Sequence, residues 1–383
     1  MANTFLTPTV IGREALMILE NELILSNLVH RGHTKEFTGA QSGDTITVRG
    51  PASFTAQEFT SSISVQDATE SSVSLVLEKH FDVSFAVTAK DLTLELQEFS
   101  NQLIRPAVVA LAQGLDAYVH EKYIEIPNSY GTAGDPPDSL ADLAGVDKTM
   151  NDLKIPMGRD RFAVVDSQAK ADMLGISAVA QADQRGDGGQ ALQEASLGRV
   201  MGIDWFISQN VKTHTLGTLT NGSAMAALVN NASVAVGDKT VPADASSLSG
   251  TVVAGDTFTV AGDTQQYTIT SGATASGNAV TLAFLPAAKV AWADNAAITF
   301  VVDGVATDTY VSNLALHKNC ITLAIVPLEL PSGASRAQYI GDRNLGIRVV
   351  HDYNITTKTD TISLDFLAGA KCQHPELGVR VFG

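Results

Sequence analysis

An α+β fold with a small all-β module set into it is predicted by three features of this 383-residue chain. Apolar residues alternate through Val73, Leu75, Leu77, Phe81, Val83, Phe85 and Val87, the period of a strand with one buried face. Leu96, Phe99, Leu103, Ala107, Leu111, Leu115 and Tyr118 recur at steps of three and four, the period of an amphipathic helix. The composition then changes sharply. No arginine occurs between Arg199 and Arg336, and no glutamate between Glu194 and Glu329. Residues 213–312 carry only Lys239 and Lys289 as cations and are crowded with Ala, Thr, Ser and Gly. Loss of helix formers beside an excess of strand formers marks the β module.

The elements follow in order. In residues 1–39, Ala15, Leu16, Leu19, Leu23 and Ile24 fall at helical spacing. Residues 45–49 (TITVR) alternate, and Gly50-Pro51 opens a polar loop over 50–70. Two alternating segments around so long a loop predict an extended hairpin arm. The helical pattern is expected to run over 96–123, started or kinked at Pro106 and weakened by about 1 kcal/mol at Gly114. A loop at 131–138 (GTAGDPPD) precedes a helix over 139–153. Pro156-Met157-Gly158 turns the chain into a buried strand, 162–165, followed by a helix over 167–174 and a Gly-rich loop over 184–190. Within the β module, strands are expected at 257–260, 265–270, 280–284 and 298–302. After it come a strand at 321–326 and a hairpin (Leu345, Ile347, Val349, then Ile362, Leu364, Phe366) turning near Lys358-Thr359-Asp360.

Composition excludes several functions. Lys plus Arg is 25 and Asp plus Glu 41, a net charge of −16 that argues against a protein coating nucleic acid. No apolar run reaches the roughly 18 residues of a membrane span, and MANTFLTPTV has neither the basic nor the apolar region of a signal peptide. The two cysteines, Cys320 and Cys372, read as buried free thiols.

The motifs for chemistry are incomplete. His120-Glu121 begins a zinc-helix motif, but its second ligand position holds Ile124, so His120 is expected on a solvated helix face. Gly186, Gly188 and Ala191 match a dinucleotide loop, yet Ala182-Asp183-Gln184-Arg185 before them is no buried strand. Asp183, Asp187, Gly188 and Glu194 occupy positions 1, 5, 6 and 12 of a calcium loop, but Arg185 stands at position 3, where an oxygen ligand belongs. Asp183, Asp187 and Glu194 are therefore a weak near miss. No catalytic set, metal or cofactor is expected, and the chain is not read as an enzyme.

The order of elements is itself a pattern: arm, long hairpin loop, long helix, α/β region, β module, closing hairpin. Four stretches add to it: 155–165 (IPMGRDRFAVV), 198–208 (GRVMGIDWFIS), 316–328 (LHKNCITLAIVPL) and 345–382, with Gly369, Pro375 and Glu376 near its end. Together they resemble the major capsid (coat) proteins of tailed bacteriophages, the HK97-like fold, and more narrowly the P22-type coat proteins with an insertion domain. The resemblance implies an N-terminal arm over 1–39, an E-loop over 40–87, a P-domain with its spine helix over 88–137, and an A-domain over 138–212. An inserted β-barrel-like domain over 213–312, an A-domain return over 313–344 and closing P-domain strands over 345–383 complete it.

It also implies a function. Pentamers and hexamers of the chain would self-assemble into an icosahedral shell enclosing double-stranded DNA. Scaffolding protein, portal protein and a decoration protein are the implied partners, without a membrane. The location would be the virion capsid, assembled in the bacterial host cytoplasm. Arg49, Glu58, Asp67 and Glu70 on the arm are candidate assembly contacts, each exposed pair worth about 0–1 kcal/mol. The acidic charge then fits a wall that confines DNA without gripping it. Two other readings are an encapsulin-like compartment shell and a surface adhesin with an Ig-like module.

Overall fold

The computed structural model describes residues 8–33, 45–49, 72–88, 100–181, 194–222, 225–230, 233–302, 309–333, 336–342 and 345–383, with Ala56, Glu58, Phe59, Ile63 and Val65. The chain forms two compact units. One comprises Met1–Glu22, Arg31–Leu115 and Thr322–Gln373; the other comprises Leu23–His30, Asp116–Ile321 and His374–Gly383. In chain order the principal elements begin with α1 (Pro8–Glu22), β1 (Thr45–Arg49), β2 (Ser72–Val76), β3 (Lys79–Thr88) and α2 (Arg105–His120). Next come β4 (Ser129–Tyr130), α3 (Leu140–Asp152), β5 (Arg161–Val165), α4 (Ser167–Gly175), β6 (Gly198–Val200), β7 (Ile203–Ile207) and β8 (Thr213–Thr215). Six strands follow: β9 (Ala226–Val229), β10 (Thr240–Asp244), β11 (Thr257–Val260), β12 (Tyr267–Ile269), β13 (Ala279–Leu285) and β14 (Ala297–Phe300). Last are β15 (Thr309–His317), β16 (Ile321–Val326), β17 (Arg336–Asp342), β18 (Leu345–Asn354), β19 (Thr359–Cys372) and β20 (Gly378–Phe382).

The first unit is built on the sheet β16-β19-β18-β17, with β3 also paired to β19. Helix α1 packs on β17 and β18. The alternation through 73–87 proves to be two strands rather than one. β2 pairs with β1 from Thr45↔Val76 to Arg49↔Ser72, while β3 pairs with β19 from Thr88↔Thr359 to Ala368↔Lys79. Period two reports which face is buried but not which strand lies alongside, so the partner change at Leu77-Glu78 is marked in the pattern only by Lys79. The closing hairpin also turns earlier than expected. Thr359 and Asp360 are already paired strand residues, and the turn occupies 355–358. Asn354 Oδ1 accepts the amides of Thr356 (2.9 Å) and Thr357 (3.3 Å), an Asx turn that bends the chain there.

The β1–β2 hairpin seats on this sheet through Val48, Leu75, Ala324 and Val326. Its close approach is allowed by Gly369 on β19, where a Cβ would stand 2.2 Å from the Val76 carbonyl oxygen. Backbone cannot give as a side chain can, so Gly369→Ala is expected to lower unfolding free energy by about 1–3 kcal/mol. Urea titration measures this, and a midpoint within error of wild type would show that the seat is not tight.

Helix α2 is shorter than the pattern over 96–123. Ser100–Ile104 form a π-turn, the α-helix runs from Arg105, and Glu121–Glu125 tighten into a 3-10 turn; residues 96–99 lie outside the described residues. Pro106 sits in the first helical turn, where its missing N–H costs no bond.

In the second unit the main sheet has the order β4-β20-β15-β5-β7-β6, with β8 added on β15. Every residue of β5 is buried, which is why this short run reads as uniformly apolar after Arg161. Helices α3 and α4 cover the sheet, burying Leu143, Val146, Met150, Ala169 and Met173 against Ala163, Val165, Ala315 and Val381. Helix α3 begins at a capping box in which Ser139 Oγ and the Asp142 carboxylate satisfy each other's amides. Between β8 and β15 lies a closed barrel, β9-β10-β13-β12-β11-β14 with β14 returning to β9. Its interior holds Phe258, Tyr267, Phe284, Trp292 and Phe300, with ring centroids 5.1–6.5 Å apart. A single closed barrel is not the two-sheet sandwich of an Ig-like module, so the adhesin reading loses its structural basis.

Candidate functional site: the hairpin arm and a buried joint under the barrel

Two places in the chain have features that core packing does not explain. The first is the hairpin arm. Arg49 is exposed at the far end of β1, and Glu58 is exposed beyond it. Asp67 and Glu70 lie outside the described residues. The sequence reading of this arm concentrated on charge and missed its apolar residues. Phe59 is 70% exposed, Ile63 85% and Val65 87%. Their alternation with polar neighbours in a nominal loop was the available signal.

The second place is a buried polar joint, wholly within the second unit. Arg380, central in the apolar strand GVRVF, has no solvent exposure. Its Nε donates to Ile126 O (2.6 Å), Nη1 to Gly255 O (2.6 Å) and Nη2 to Thr268 Oγ1 (2.8 Å). Thr268 Oγ1 in turn donates to Ile124 O at 2.8 Å. One planar cation therefore ties the end of the 3-10 turn to β12 and to the turn before β11. Gly255 is in the left-handed region at φ +104, and a Cβ there would meet His214 Cε1 at 2.8 Å. Burial pulls the Arg380 guanidinium below its ordinary value, while Tyr310, Tyr123 and Asp256 pull it back up.

Asp256 completes the joint. Its carboxylate lies 2.9 Å from His214 Nε2 and accepts the amides of Val253 (2.8 Å) and Gly217 (3.3 Å). His214 Nδ1 meets Tyr123 Oη at 2.9 Å, and the His214 ring packs 5.3 Å from that of Tyr310. Burial raises the Tyr310 phenol to about 12, with Arg380 acting against the rise. The row Tyr123–His214–Asp256 has the connectivity of a proton relay. All three side chains are buried, so no reacting substrate meets them, and the row works as a clamp. Sequence reasoning passed over it because its members are scattered over 258 residues, from Tyr123 to Arg380. The signal was a lone Arg inside an otherwise apolar strand.

The remaining sequence candidates fall as follows. His120 is not on a solvated face; it is 1% exposed. The last turn of α2 faces inward, and His120 Nδ1 accepts the Lys212 amide at 3.3 Å. Burial, helped by the Lys212 charge, lowers its imidazole to about 3. Glu194 is exposed, and Asp183 and Asp187 lie outside the described residues. Among the described residues no three His, Cys, Asp or Glu side chains gather as a metal cluster would. Cys320 and Cys372 are both buried.

An α+β chain with a β-hairpin seated on one sheet and a closed barrel clamped within the second unit is the class that the geometry defines. No family model matches this chain, and no curated protein matches it. Among solved structures, a chain of Mycobacterium phage Che8 superposes with a TM-score of 0.51 at 13% identity, over 94% of this chain and 90% of that one. The chain thus shares its fold with a phage protein. The capsid of Cyanophage P-SCSP1u is matched at 11% identity and TM-score 0.45, over 89% and 84% of the two chains. The virus-like particle from Pyrococcus furiosus is matched at 8% identity and TM-score 0.40, over 97% of each.

Proposed function

We propose that this chain is the major capsid protein of a tailed bacteriophage, a structural subunit rather than an enzyme. The observation that carries the reading is the arm: Phe59, Ile63 and Val65, in the segment that joins β1 to β2, are 70%, 85% and 87% exposed. Large apolar side chains exposed on one segment call for a cover, and a neighbouring subunit provides one. The fold shared with a phage chain supports it.

In this reading residues 40–87 form the E-loop, the barrel within 213–312 is the insertion domain of an HK97-like, P22-type subunit, and the closing strands belong to the P-domain. Pentamers and hexamers close into an icosahedral shell, with scaffolding and portal proteins as partners, assembled in the host cytoplasm. Double-stranded DNA is confined by a wall of net charge −16 per subunit rather than bound by it.

Expression with and without scaffolding protein, followed by negative-stain electron microscopy, tests the reading. Capsomers or shells are expected. A strictly monomeric chain whose melting temperature responds to a small ligand would overturn it. Replacing Phe59, Ile63 and Val65 together with serine is expected to abolish assembly while leaving monomer melting within about 2 °C of wild type, because exposed sites contribute little to folding.

A further inference from the structure

The shell-subunit reading implies contacts between copies, and the second unit offers two surfaces that complement each other. Strands β5 and β7 are parallel, and β15 runs antiparallel to both β5 and β20. One end of the sheet therefore carries the starts of β5 and β7 and the close of β15. The opposite end carries the close of β20 and of its parallel neighbour β4. A five-residue strand separates these ends by about 17 Å.

The first end is a methionine knob. Met157 is 76% exposed and Met201 39%, each in a Met-Gly turn. Arg199 Nη2 donates to Gly158 O (2.6 Å) and to Gly202 O (3.0 Å), holding the two turns side by side. Beneath them Arg161 donates to Pro156 O (3.0 Å) and to Ile155 O, and pairs with Asp147 at 3.0 Å. The knob is thus braced from below. Lys154, Arg159, Arg199 and Lys318 are exposed around it, against Asp160 and Asp204. It is a positive surface on a strongly acidic chain.

The second end is a cavity of about 300 Å³. It is lined by Tyr130, Thr132, Pro137, Val381 and Phe382 and by two carboxylates, Asp135 and Asp142. Among the described residues no lysine or arginine lines it.

We propose that the methionine knob of one copy seats in the acidic pocket of a second copy. An unbranched, flexible thioether adapts to an irregular cavity of this size beside Tyr130. Arg159 and Lys318 at the rim of the knob then face Asp135 and Asp142. The two surfaces differ and lie at opposite ends of one sheet, so the contact is heterologous. Repeated head-to-tail, such a contact closes a ring, as a capsomer requires, wherever its rotation permits.

The test uses the full chain with Met157→Cys and Thr132→Cys together, Thr132 being a pocket residue. Under mild oxidant, a ladder of cross-linked dimers and higher rings is expected, reversed by reductant and absent from wild type, whose own thiols are buried. A bond within one copy is excluded, because a disulfide needs Cα atoms within about 7 Å. In parallel, Arg159→Glu and Asp135→Lys are each expected to cut the assembled fraction at least tenfold, and the double variant to restore it. Circular dichroism confirms that each variant is folded.

Shells without cross-links, together with charge variants that assemble as wild type does, would overturn this contact and leave the shell reading standing. Cross-links in a protein that forms no shell would uphold the contact and sink the shell reading. Neither shells nor cross-links at high protein concentration would overturn both.

Discussion

Arg380→Met is expected to destabilise the chain by about 3–5 kcal/mol, the largest effect of any single substitution considered. Methionine keeps much of the aliphatic stem but supplies no donor. The carbonyls of Ile126 and Gly255 lose their partner, Thr268 loses one of its two bonds, and Asp256 loses the favourable charge of Arg380. Each buried acceptor left unpaired costs about 1–3 kcal/mol. Arg380→Lys keeps the charge but not the planar fork that reaches several acceptors, so it is expected to recover only part of the loss. The two tryptophans report the two sides of the joint, Trp205 in the main sheet and Trp292 inside the barrel. With Trp205 changed to Phe, Trp292 fluorescence in urea should show the barrel melting early in Arg380→Met and together with the whole chain in wild type. A loss below 1 kcal/mol with a single shared transition would show that Arg380 is not what clamps the barrel.

The second large effect concerns acid. His120 is neutral in the native state, its imidazole lowered by burial and by Lys212 to about 3, against 6.5 in an unfolded chain. Below pH 6.5 the unfolded chain takes up a proton that the native chain refuses. Its share of stability is therefore complete above pH 6.5 and declines as pH falls toward 3. The slope is about 1.4 kcal/mol per pH unit, so roughly 4–5 kcal/mol is lost across the window. His120→Gln keeps an acceptor for the Lys212 amide and does not titrate, so its urea midpoint should fall less steeply from pH 6 to pH 4. Identical slopes for the two proteins would rule His120 out as the source of acid sensitivity. A shell subunit with this property is expected to disassemble more readily in acid than its His120→Gln variant.

The elements were largely visible in the sequence because their signals are local. The expected strand at 257–260 is β11, and those at 280–284 and 298–302 overlap β13 and β14. The buried strand before Asp166 and the capped helix after Ser139 stand where turn and cap chemistry put them. Boundaries failed where one local pattern spans two environments. Leu77 continues an alternation across a change of partner strand, and Tyr118 continues a helical spacing close to the point where α2 tightens into a 3-10 turn. His120 shows a different limit. The spacing around it is helical either way, and only the rest of the second unit buries it.

Composition and periodicity alone establish an acidic α+β chain, a strand-rich module between Arg199 and Arg336, and alternating segments at 45–49 and 73–87, since each depends only on residues close in sequence. Which strands pair, the closure of six of them into a barrel, and the meeting of Tyr123, His214, Asp256, Thr268 and Arg380 came only with the tertiary structure. The physical reason is that a buried charge has no local signature beyond its own improbability. Arg380 in GVRVF signals that partners exist, but the carbonyls that satisfy it lie 125 and 254 residues away along the chain, and only folding brings them within 2.6 Å.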